Sequence, residues 1–240
     1  MTDTSFFDVW DTYHKVVAGD HMFHRAIGAE LRAALETRFA GRPYQMLDLG
    51  CGDAFALAPL LEGLAPAAYH GIDLSEAALA LAAKNLSLLP CPVTLERVDM
   101  LSALDGTAPV DVIYSSFALH HLDTAQKAKL FARVSDKLTP GGLLLLVDVT
   151  REEGQALPDY RAAYCDWIRA AWTGLAPAER EMVCDHLCEN DMPEPYSVLA
   201  AQARAAGLAP LPGAARHKWH RLMAFEKPTA VSRPTAFTRP

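Results

Sequence analysis

Two patterns of apolar positions alternate along the chain from residue 44 to residue 149. Short, wholly apolar runs are typical of strands covered on both faces, and they alternate with segments in which apolar residues recur at helical spacing. Strands and helices in such alternation form crossover units on a parallel sheet. We therefore predict an α/β fold with a doubly wound sheet. The predicted strands are Gln45–Leu49, Ala68–Asp73, Val93–Val98, Val110–Ser115 and Leu143–Val149, and the predicted helices are Ala54–Leu64, Glu76–Leu89 and Thr124–Leu138.

The segments on either side of this core, residues 44–149, have a different pattern. Residues 1–43 carry apolar side chains at helical spacings and are predicted to form an N-terminal helical lid. Residues 150–207 are predicted to form an aromatic-rich helical insertion that covers the substrate and a sixth helix, and residues 208–226 two final strands. Residues 227–240 offer little to bury, which predicts a disordered tail. The elements predicted after the core are the helices Asp159–Trp172, Pro177–Cys188 and Tyr196–Ala206, and the strands Ala209–Leu211 and Lys218–Glu226.

The first predicted strand ends at a turn in which Gly50 and Gly52 flank Cys51. A strand, a tight glycine turn and a helix N-terminus together form a pocket where backbone N–H groups face a ligand at close range. A Cβ at either glycine would block the turn or the approach of the ligand. Asp48, just before the turn, argues against a phosphate and favours a cationic or hydroxyl-bearing ligand.

Further polar residues stand at the ends of the next strands. Asp73, followed by Leu74, lies about twenty residues after the glycine turn, the spacing at which an acidic residue binds ribose hydroxyls. Asp99 and Met100 follow the third strand, and Ser115 ends the fourth. Because ligands of open α/β sheets bind beyond the carboxyl ends of the strands, these residues are expected in one site.

This ordered set of motifs resembles the class I S-adenosylmethionine-dependent methyltransferases over residues 45–149, and loosely over the last two strands. The resemblance implies a mostly parallel seven-stranded sheet whose seventh strand, supplied by Lys218–Glu226, is inserted antiparallel. It also implies S-adenosylmethionine as cofactor and S-adenosylhomocysteine as product.

The resemblance assigns roles to individual residues. The turn from Leu47 to Asp53 would wrap the methionine half of the cofactor, and Asp73 would hold both ribose hydroxyls. Asp99 would accept from the adenine amino group, while the Met100 N–H would contact a ring nitrogen. The cofactor-binding residues predicted on this basis are Asp48, Gly50, Cys51, Gly52, Asp73, Leu74, Asp99, Met100 and Ser115.

A dinucleotide-binding site is the poorer interpretation of the same turn. It needs a third glycine at position 55, where Phe55 would block the close packing of helix on strand. Asp48 and Asp53 would also lie near a pyrophosphate with no obvious compensating charge.

Methyl transfer from a sulfonium is an in-line displacement, so the protein mainly aligns donor and acceptor. A general base is needed only if the acceptor carries a proton at the working pH. The catalytic candidates are His120 and His121, which follow the fourth strand, and Tyr13 in the lid. The alternative is that one histidine caps a helix or packs beside the cofactor, and that Tyr13 belongs to the core.

No metal ion is predicted from the sequence. His21 and His24 have helical spacing, but nothing nearby completes a ligand set. Cys184 and Cys188 share a helix face from which His186 points away, so a buried pair of thiols is the better interpretation.

The net charge of −7 disfavours a nucleic-acid partner. No apolar run reaches the length of a membrane span, no signal peptide is recognised, and five scattered cysteines indicate a reducing cytoplasm. We expect a cytoplasmic monomer or homodimer that methylates a small molecule. Two alternatives stay open: transfer of another group, such as a carboxymethyl, from a modified S-adenosylmethionine, and a non-catalytic sensor or partner subunit that only binds the cofactor.

Overall fold

The computed structural model describes residues 3–213 and 215–229. Most of the predicted tail, from residue 230 onward, lies outside the described residues. The elements in chain order are α1 (Asp3–Ala18), α2 (His24–Phe39), β1 (Tyr44–Leu49), α3 (Ala58–Leu61), β2 (Pro66–Asp73), α4 (Glu76–Asn85), β3 (Val93–Arg97), α5 (Met100–Gly106), β4 (Val110–Ser116), a 3₁₀ turn (Leu119–His121), α6 (Thr124–Lys137), β5 (Leu138–Val149), α7 (Leu157–Ala171), α8 (Pro177–Asn190), α9 (Tyr196–Ala205), β6 (Ala209–Pro210), β7 (Arg216–His217) and β8 (His220–Glu226).

The strands form one mostly parallel sheet in the order β3-β2-β1-β4-β5-β8-β6, with β7 paired to β8. β1 is parallel to both β2 and β4, while β8 runs antiparallel to β5 and β6. The predicted α/β sheet and its inserted antiparallel strand are thus confirmed. The chain leaves β1 toward β2 and later returns to the other side of β1 as β4, so a crevice opens beyond the carboxyl ends of these strands.

Both faces of the sheet are covered, because alternate residues of each strand point to opposite sides. Along β5, Leu144 and Leu146 pack into a core beneath α6 and α9, whereas Leu145 and Val147 pack into a second core beneath α2. A third cluster joins α7 and α8 around the fully buried ring of Trp172. The apolar runs of β4 and β5 therefore correspond to strands buried on both sides.

Two elements differ from the sequence prediction. The helix predicted over Ala54–Leu64 shrinks to the four residues of α3, because Ala54 adopts a left-handed conformation with φ +54° and turns replace the first helical turns. The short helix α5 was not predicted. Its N-cap is Asp99, whose side chain accepts hydrogen bonds from two backbone N–H groups of the first turn. Such capping stabilises a helix that is too short to show a clear apolar pattern in the sequence.

Within the described residues, no helix combines the length and the apolar character that crossing a membrane requires.

We expect the substitution Phe225→Ala to lower the free energy of unfolding by about 3–5 kcal/mol, since it empties a fully buried site. The ring packs edge-to-face on Phe131 with 5.6 Å between the ring centroids, a contact that alanine cannot replace. Leu88→Ala is the matched control, because Leu88 is 93% exposed and its loss should change stability by less than about 0.5 kcal/mol. Urea denaturation measures both, and equal stabilities of the two variants would contradict the assigned core.

Candidate active site

A cavity of about 620 Å³ opens beyond the carboxyl ends of β1 to β4. Its size lies in the range typical of sites for small molecules and cofactors. Helix α1 covers one side, and α8 contributes one residue to the rim. The lining residues are Trp10, Tyr13, Asp48, Gly50, Cys51, Gly52, Asp53, Ala54, Phe55, Ala56, Leu57, Asp73, Leu74, Val98, Asp99, Met100, Tyr114, Ser116, Phe117, Ala118, His121, Leu122 and His186.

The glycine turn after β1 forms the floor of this cavity. Gly50 and Gly52 have φ values of +72° and +53°, which L side chains rarely adopt. A Cβ on Gly50 would lie 2.7 Å from the Cβ of Ala118, and one on Gly52 would lie 3.2 Å from the Trp10 ring. Both glycines are therefore required by the backbone conformation and by the lack of space.

The turn is held by β2 rather than left open to a ligand. The Cys51 N–H donates to the carbonyl of Ile72 at 2.8 Å, and the Gly52 N–H donates to Asp73 Oδ2 at 2.9 Å. The sequence analysis expected the backbone N–H groups of this turn to face a ligand. For Cys51 and Gly52 this is wrong, because both N–H groups are bonded within the protein. Asp73 Oδ1 also accepts from the Ser75 N–H at 2.8 Å, so the carboxylate is fixed and each oxygen keeps a lone pair for a hydroxyl donor.

Asp48 lines the cavity from inside the sheet and is 2% exposed. Its Oδ2 accepts from the Tyr69 hydroxyl at 2.6 Å, while its buried Oδ1 has no hydrogen-bond partner. Burial raises the pKa of Asp48 to about 7, although the bond from Tyr69 opposes the rise. Among the residues that the structure describes, Asp48 therefore forms no ion pair.

The far end of the cavity has an acidic residue beside apolar walls. Asp99 Oδ1 accepts from the N–H groups of Leu101 and Ser102 at 2.9 and 3.1 Å, which fixes the carboxylate at the rim. Leu74 lines the same end together with Met100 and is 64% exposed. Large exposed apolar side chains in a concave site provide a surface for a flat apolar group.

Ser115 does not line the cavity, in contrast to the sequence prediction. Its buried Oγ donates to the carbonyl of Leu49 at 2.7 Å, so the side chain links β4 to β1. Ser116, the next residue, lines the cavity instead. The cause is the two-residue period of a strand, in which a shift of one residue moves a side chain to the opposite face.

The two predicted catalytic histidines occupy different environments. His120 does not line the cavity: it is 8% exposed, and its Nδ1 lies 2.6 Å from Asp148 Oδ1. Burial acts to lower the pKa of His120, but the Asp148 carboxylate outweighs it and the net pKa is raised. The assignment of His120 as a residue that touches the reacting atoms is therefore corrected. The reason is that the 3₁₀ turn directs consecutive side chains to different sides.

His121 reaches the cavity. Burial, followed by the charge of neighbouring His120, lowers the pKa of His121 to about 4. His121 is therefore a neutral imidazole near neutral pH, a weak base that can accept or donate a hydrogen bond. His186, on α8, also lines the cavity, and its ring centroid lies 5.6 Å from that of His121.

Tyr13 lines the cavity as predicted for the lid. Burial and then the charge of Asp53 raise the pKa of its phenol far above the ordinary value. Tyr13 is thus a neutral hydrogen-bond donor and is poorly suited to act as a general base. Helix α1 is attached to the site by His14, whose Nε2 lies 2.6 Å from Asp53 Oδ2, a contact that sequence reasoning missed.

Sequence reasoning also missed several residues of the cavity, because they come from distant elements. Trp10 and His186 offered no signal beyond residue type. Phe117 follows β4 and has a left-handed φ of +49°, a conformation that its neighbours in the sequence do not predict. Among the predicted pair of thiols, Cys184 is buried but Cys188 is exposed, so that expectation is only half correct.

The cavity is strongly acidic. Four of its lining residues are carboxylates, and none of the described lining residues is a lysine or an arginine. His14 pairs with one of the four, Asp53, which leaves Asp48, Asp73 and Asp99 facing the ligand side. Such a site favours a cation and hydroxyl or amino donors over a phosphate.

Comparison with known proteins identifies the domain. Residues 47–144 match a family described as "Methyltransferase domain". An uncharacterized methyltransferase of Bacillus cytotoxicus is 29% identical over 143 residues, which is 59% of this chain. The match spans 65% of that relative's length.

Two further likenesses extend over most of the chain. A carboxy-S-adenosyl-L-methionine synthase of Aeromonas salmonicida is 28% identical over 201 residues, covering 81% of this chain and 78% of that protein. The crystal structure of magnesium protoporphyrin IX methyltransferase from Synechocystis with bound SAM superposes with a TM-score of 0.62 at 14% identity. It covers 94% of this chain and 92% of the other. At this identity the superposition supports the fold alone.

We expect Asp48→Asn to stabilise the ligand-free protein at pH 8 by about 2–4 kcal/mol, at about 1.4 kcal/mol per pKa unit. The folded-state pKa of about 7 exceeds the unfolded value near 4, so the protonated form is favoured by folding. Wild-type stability is therefore lost as the pH rises from about 4 through 7, and the neutral amide escapes this loss. Urea denaturation at pH 5 and pH 8 measures the difference between the two proteins.

The difference should shrink at pH 5, where Asp48 is mostly protonated. Asp166→Asn is the control, since the side chain of Asp166 is 80% exposed. A stability difference independent of pH would contradict the raised pKa.

Proposed function

We propose that this chain, which carries a methyltransferase domain over residues 47–144, transfers the sulfonium methyl group of S-adenosylmethionine to a small-molecule acceptor by in-line displacement. S-adenosylhomocysteine is the second product. The acidic cavity at the β1–β4 crevice, with no lysine or arginine among its described lining residues, is the observation that carries the proposal. It suits a ligand that bears a sulfonium, an ammonium and two ribose hydroxyls.

In the proposed complex, each part of the cofactor contacts side chains of complementary charge or polarity. The fixed carboxylate of Asp73 accepts from the ribose hydroxyls, and its attachment to the glycine turn keeps it in place. Leu74 and Met100 enclose the adenine ring, with Asp99 as acceptor for its amino group. Asp48 supplies the negative charge that faces the cationic methionine half, and binding there would satisfy its orphan oxygen.

Catalysis in this proposal is mainly alignment, because the cofactor brings the activated group. The cavity holds the sulfonium against an acceptor, and such positioning lowers a barrier by roughly 7–11 kcal/mol. The aromatic residues Trp10, Tyr13 and Phe117 exclude water from the space between donor and acceptor. Neutral His121, which lines the cavity, forms a hydrogen bond with the acceptor's polar group.

The carboxymethyl alternative is less well supported, although the relative from Aeromonas is a carboxy-S-adenosyl-L-methionine synthase. A carboxymethyl group adds a negative charge next to the sulfonium. Binding it among carboxylates requires a compensating cation, and the described lining residues include no arginine or lysine. A plain methyl group carries no such requirement.

We expect Asp73→Ala to weaken the binding of S-adenosylmethionine by roughly 10- to 100-fold, since hydrogen bonds to a charged group contribute about 1.5–3 kcal/mol. The loss should extend to S-adenosylhomocysteine, because both ligands carry the same ribose. Isothermal titration calorimetry measures the two dissociation constants. Asp166→Ala, a change of an exposed carboxylate on α7, should leave both unchanged. Absence of binding to the wild-type protein would contradict the proposal.

Turnover separates an enzyme from a cofactor sensor. We expect S-adenosylhomocysteine to form when the protein is given S-adenosylmethionine and one of a panel of small amines, thiols, phenols and carboxylic acids. Asp73→Ala should reduce this turnover at subsaturating cofactor, while Asp166→Ala should retain it. Tight cofactor binding without product from any acceptor class would favour the sensor.

A further inference from the structure

Three side chains of the types that bind metal ions, His120, His121 and Asp191, lie close together at the wall of the cavity. His120 Nε2 lies 3.5 Å from Asp191 Oδ1, and His121 Nδ1 lies 3.6 Å from the same oxygen. One ligand atom from each of the three residues falls within 4.8 Å of the others. Both nitrogen–oxygen distances exceed the range of an N–H···O hydrogen bond, about 2.7–3.2 Å.

These distances fit a shared metal ion better than direct bonding. Imidazole nitrogens and carboxylate oxygens bind Zn²⁺ at about 2.0–2.2 Å, so two ligands at a tetrahedral angle lie about 3.4 Å apart. The two observed separations are close to this value. The cluster thus has the spacing of ligands arranged around one small ion.

Asp191 carries an independent sign of a missing partner. The residue is 7% exposed, and its Oδ1 is buried without a hydrogen bond. Backbone bonds hold the residue in place, since its N–H donates to Leu187 and its carbonyl accepts from Arg161. A buried carboxylate with an orphan oxygen is costly unless a cation compensates for it.

His120 is oriented as a metal ligand would be. Asp148 Oδ1 lies 2.6 Å from its Nδ1, and Asp148 Oδ2 accepts from its backbone N–H at 3.1 Å. A carboxylate on one ring nitrogen fixes the proton there and leaves the other nitrogen as a lone-pair donor, which is the usual support of a metal-bound histidine. The free Nε2 is the atom that faces Asp191.

We propose that His120, His121 and Asp191 bind one divalent first-row transition-metal ion, such as Zn²⁺ or Fe²⁺, at the wall of the cavity. Two imidazoles and one carboxylate suit these ions, whereas Mg²⁺ and Ca²⁺ prefer oxygen ligands throughout. Three protein ligands leave a coordination position open for water or for a donor atom of a bound molecule. His121 belongs to both the cluster and the cavity lining, so that position is next to the cavity.

The sequence alone predicts no such site because the ligands are not grouped along the chain. Adjacent histidines rarely point to one ion, and Asp191 follows only after the long α7–α8 segment. The N–H of Met192, which directly follows Asp191, donates to the carbonyl of His120 at 2.8 Å. This bond holds the end of α8 against the 3₁₀ turn and brings the three side chains together.

The test uses the full chain with any histidine tag removed. After dialysis against a chelator, Zn²⁺ is titrated by calorimetry, and metal content after Zn²⁺ loading is measured by mass spectrometry. We expect one ion per chain and a dissociation constant in the micromolar range or below. Replacement by Co²⁺ should give visible absorption bands of low-symmetry coordination, a readout independent of activity.

Asp191→Asn should weaken Zn²⁺ binding by more than about 100-fold, the loss expected for a direct ligand where a supporting residue costs 10- to 100-fold. His121→Gln is a second variant, chosen because its side chain is 40% exposed and its replacement leaves the core intact. Asp185→Asn changes an exposed carboxylate on α8, the helix that ends just before Asp191, and this variant should bind Zn²⁺ as the wild type does.

Circular dichroism checks that each variant is folded. No stoichiometric binding by the folded wild type, or equal binding by wild type, Asp191→Asn and His121→Gln, would overturn the proposal. In that case a protonated His120 between Asp148 and Asp191 would account for the cluster. Cofactor binding is measured on the same samples, so a failure of the metal site is distinguishable from a failure of the proposed methyl transfer.

Discussion

The close contact between the glycine turn and its neighbours is the constraint on which the rest of the site depends. Ala118 lies so near Gly50 that a Cβ does not fit there, and a Cβ on Gly52 would come within 3.2 Å of the Trp10 ring. Asp73 accepts from the Gly52 N–H, so the end of β2 is fixed to the end of β1. The floor of the cavity, the Asp73 carboxylate and the covering helix α1 are therefore all in contact with one tight turn.

Charge is the second organising factor, because the turn lies among carboxylates. Asp53 has an internal partner in His14, which also attaches α1 to the site. Within the described part of the chain, the side chain of Asp48 has the Tyr69 hydroxyl as its hydrogen-bond partner and no cation, and burial raises its pKa to about 7. Such an arrangement costs folding free energy in the absence of ligand. A cationic ligand would offset this cost by pairing with the Asp48 carboxylate. The same buried charge that lowers the stability of the ligand-free protein therefore favours the binding of cations.

The sequence predicts what depends on local pattern and fails where side-chain direction depends on distant contacts. Apolar runs fix the strands, and the spacing of Gly50 and Asp73 places both at one edge of the sheet. Ser115 and Ser116 differ by one residue, and the alternation of faces in β4 decides which of them meets the cavity. No pattern within the sequence distinguishes them.

The histidine pair shows the same limit more sharply. The position of the pair after β4 is predictable from the sequence. Which histidine lines the cavity and which is buried behind it depends on contacts with Asp148 in β5 and with the end of α8. The first contact joins residues 28 positions apart, and the second joins His120 to Met192, much further along the chain, so no window of local sequence contains them. Asp191 is missed for the same reason.

The left-handed residue Phe117 links the two halves of the site. Its φ of +49° costs of order 1–3 kcal/mol for a non-glycine residue, so the surrounding structure must hold it there. Its N–H donates to the carbonyl of Val147 at 2.8 Å, which fixes the bend to the neighbouring strand. The bend places Ala118 against Gly50 and starts the 3₁₀ turn that sends His121 into the cavity and His120 behind it. A relaxed strand end would separate the floor of the cavity from His121, so this local strain keeps the glycine turn and the histidine in one cavity.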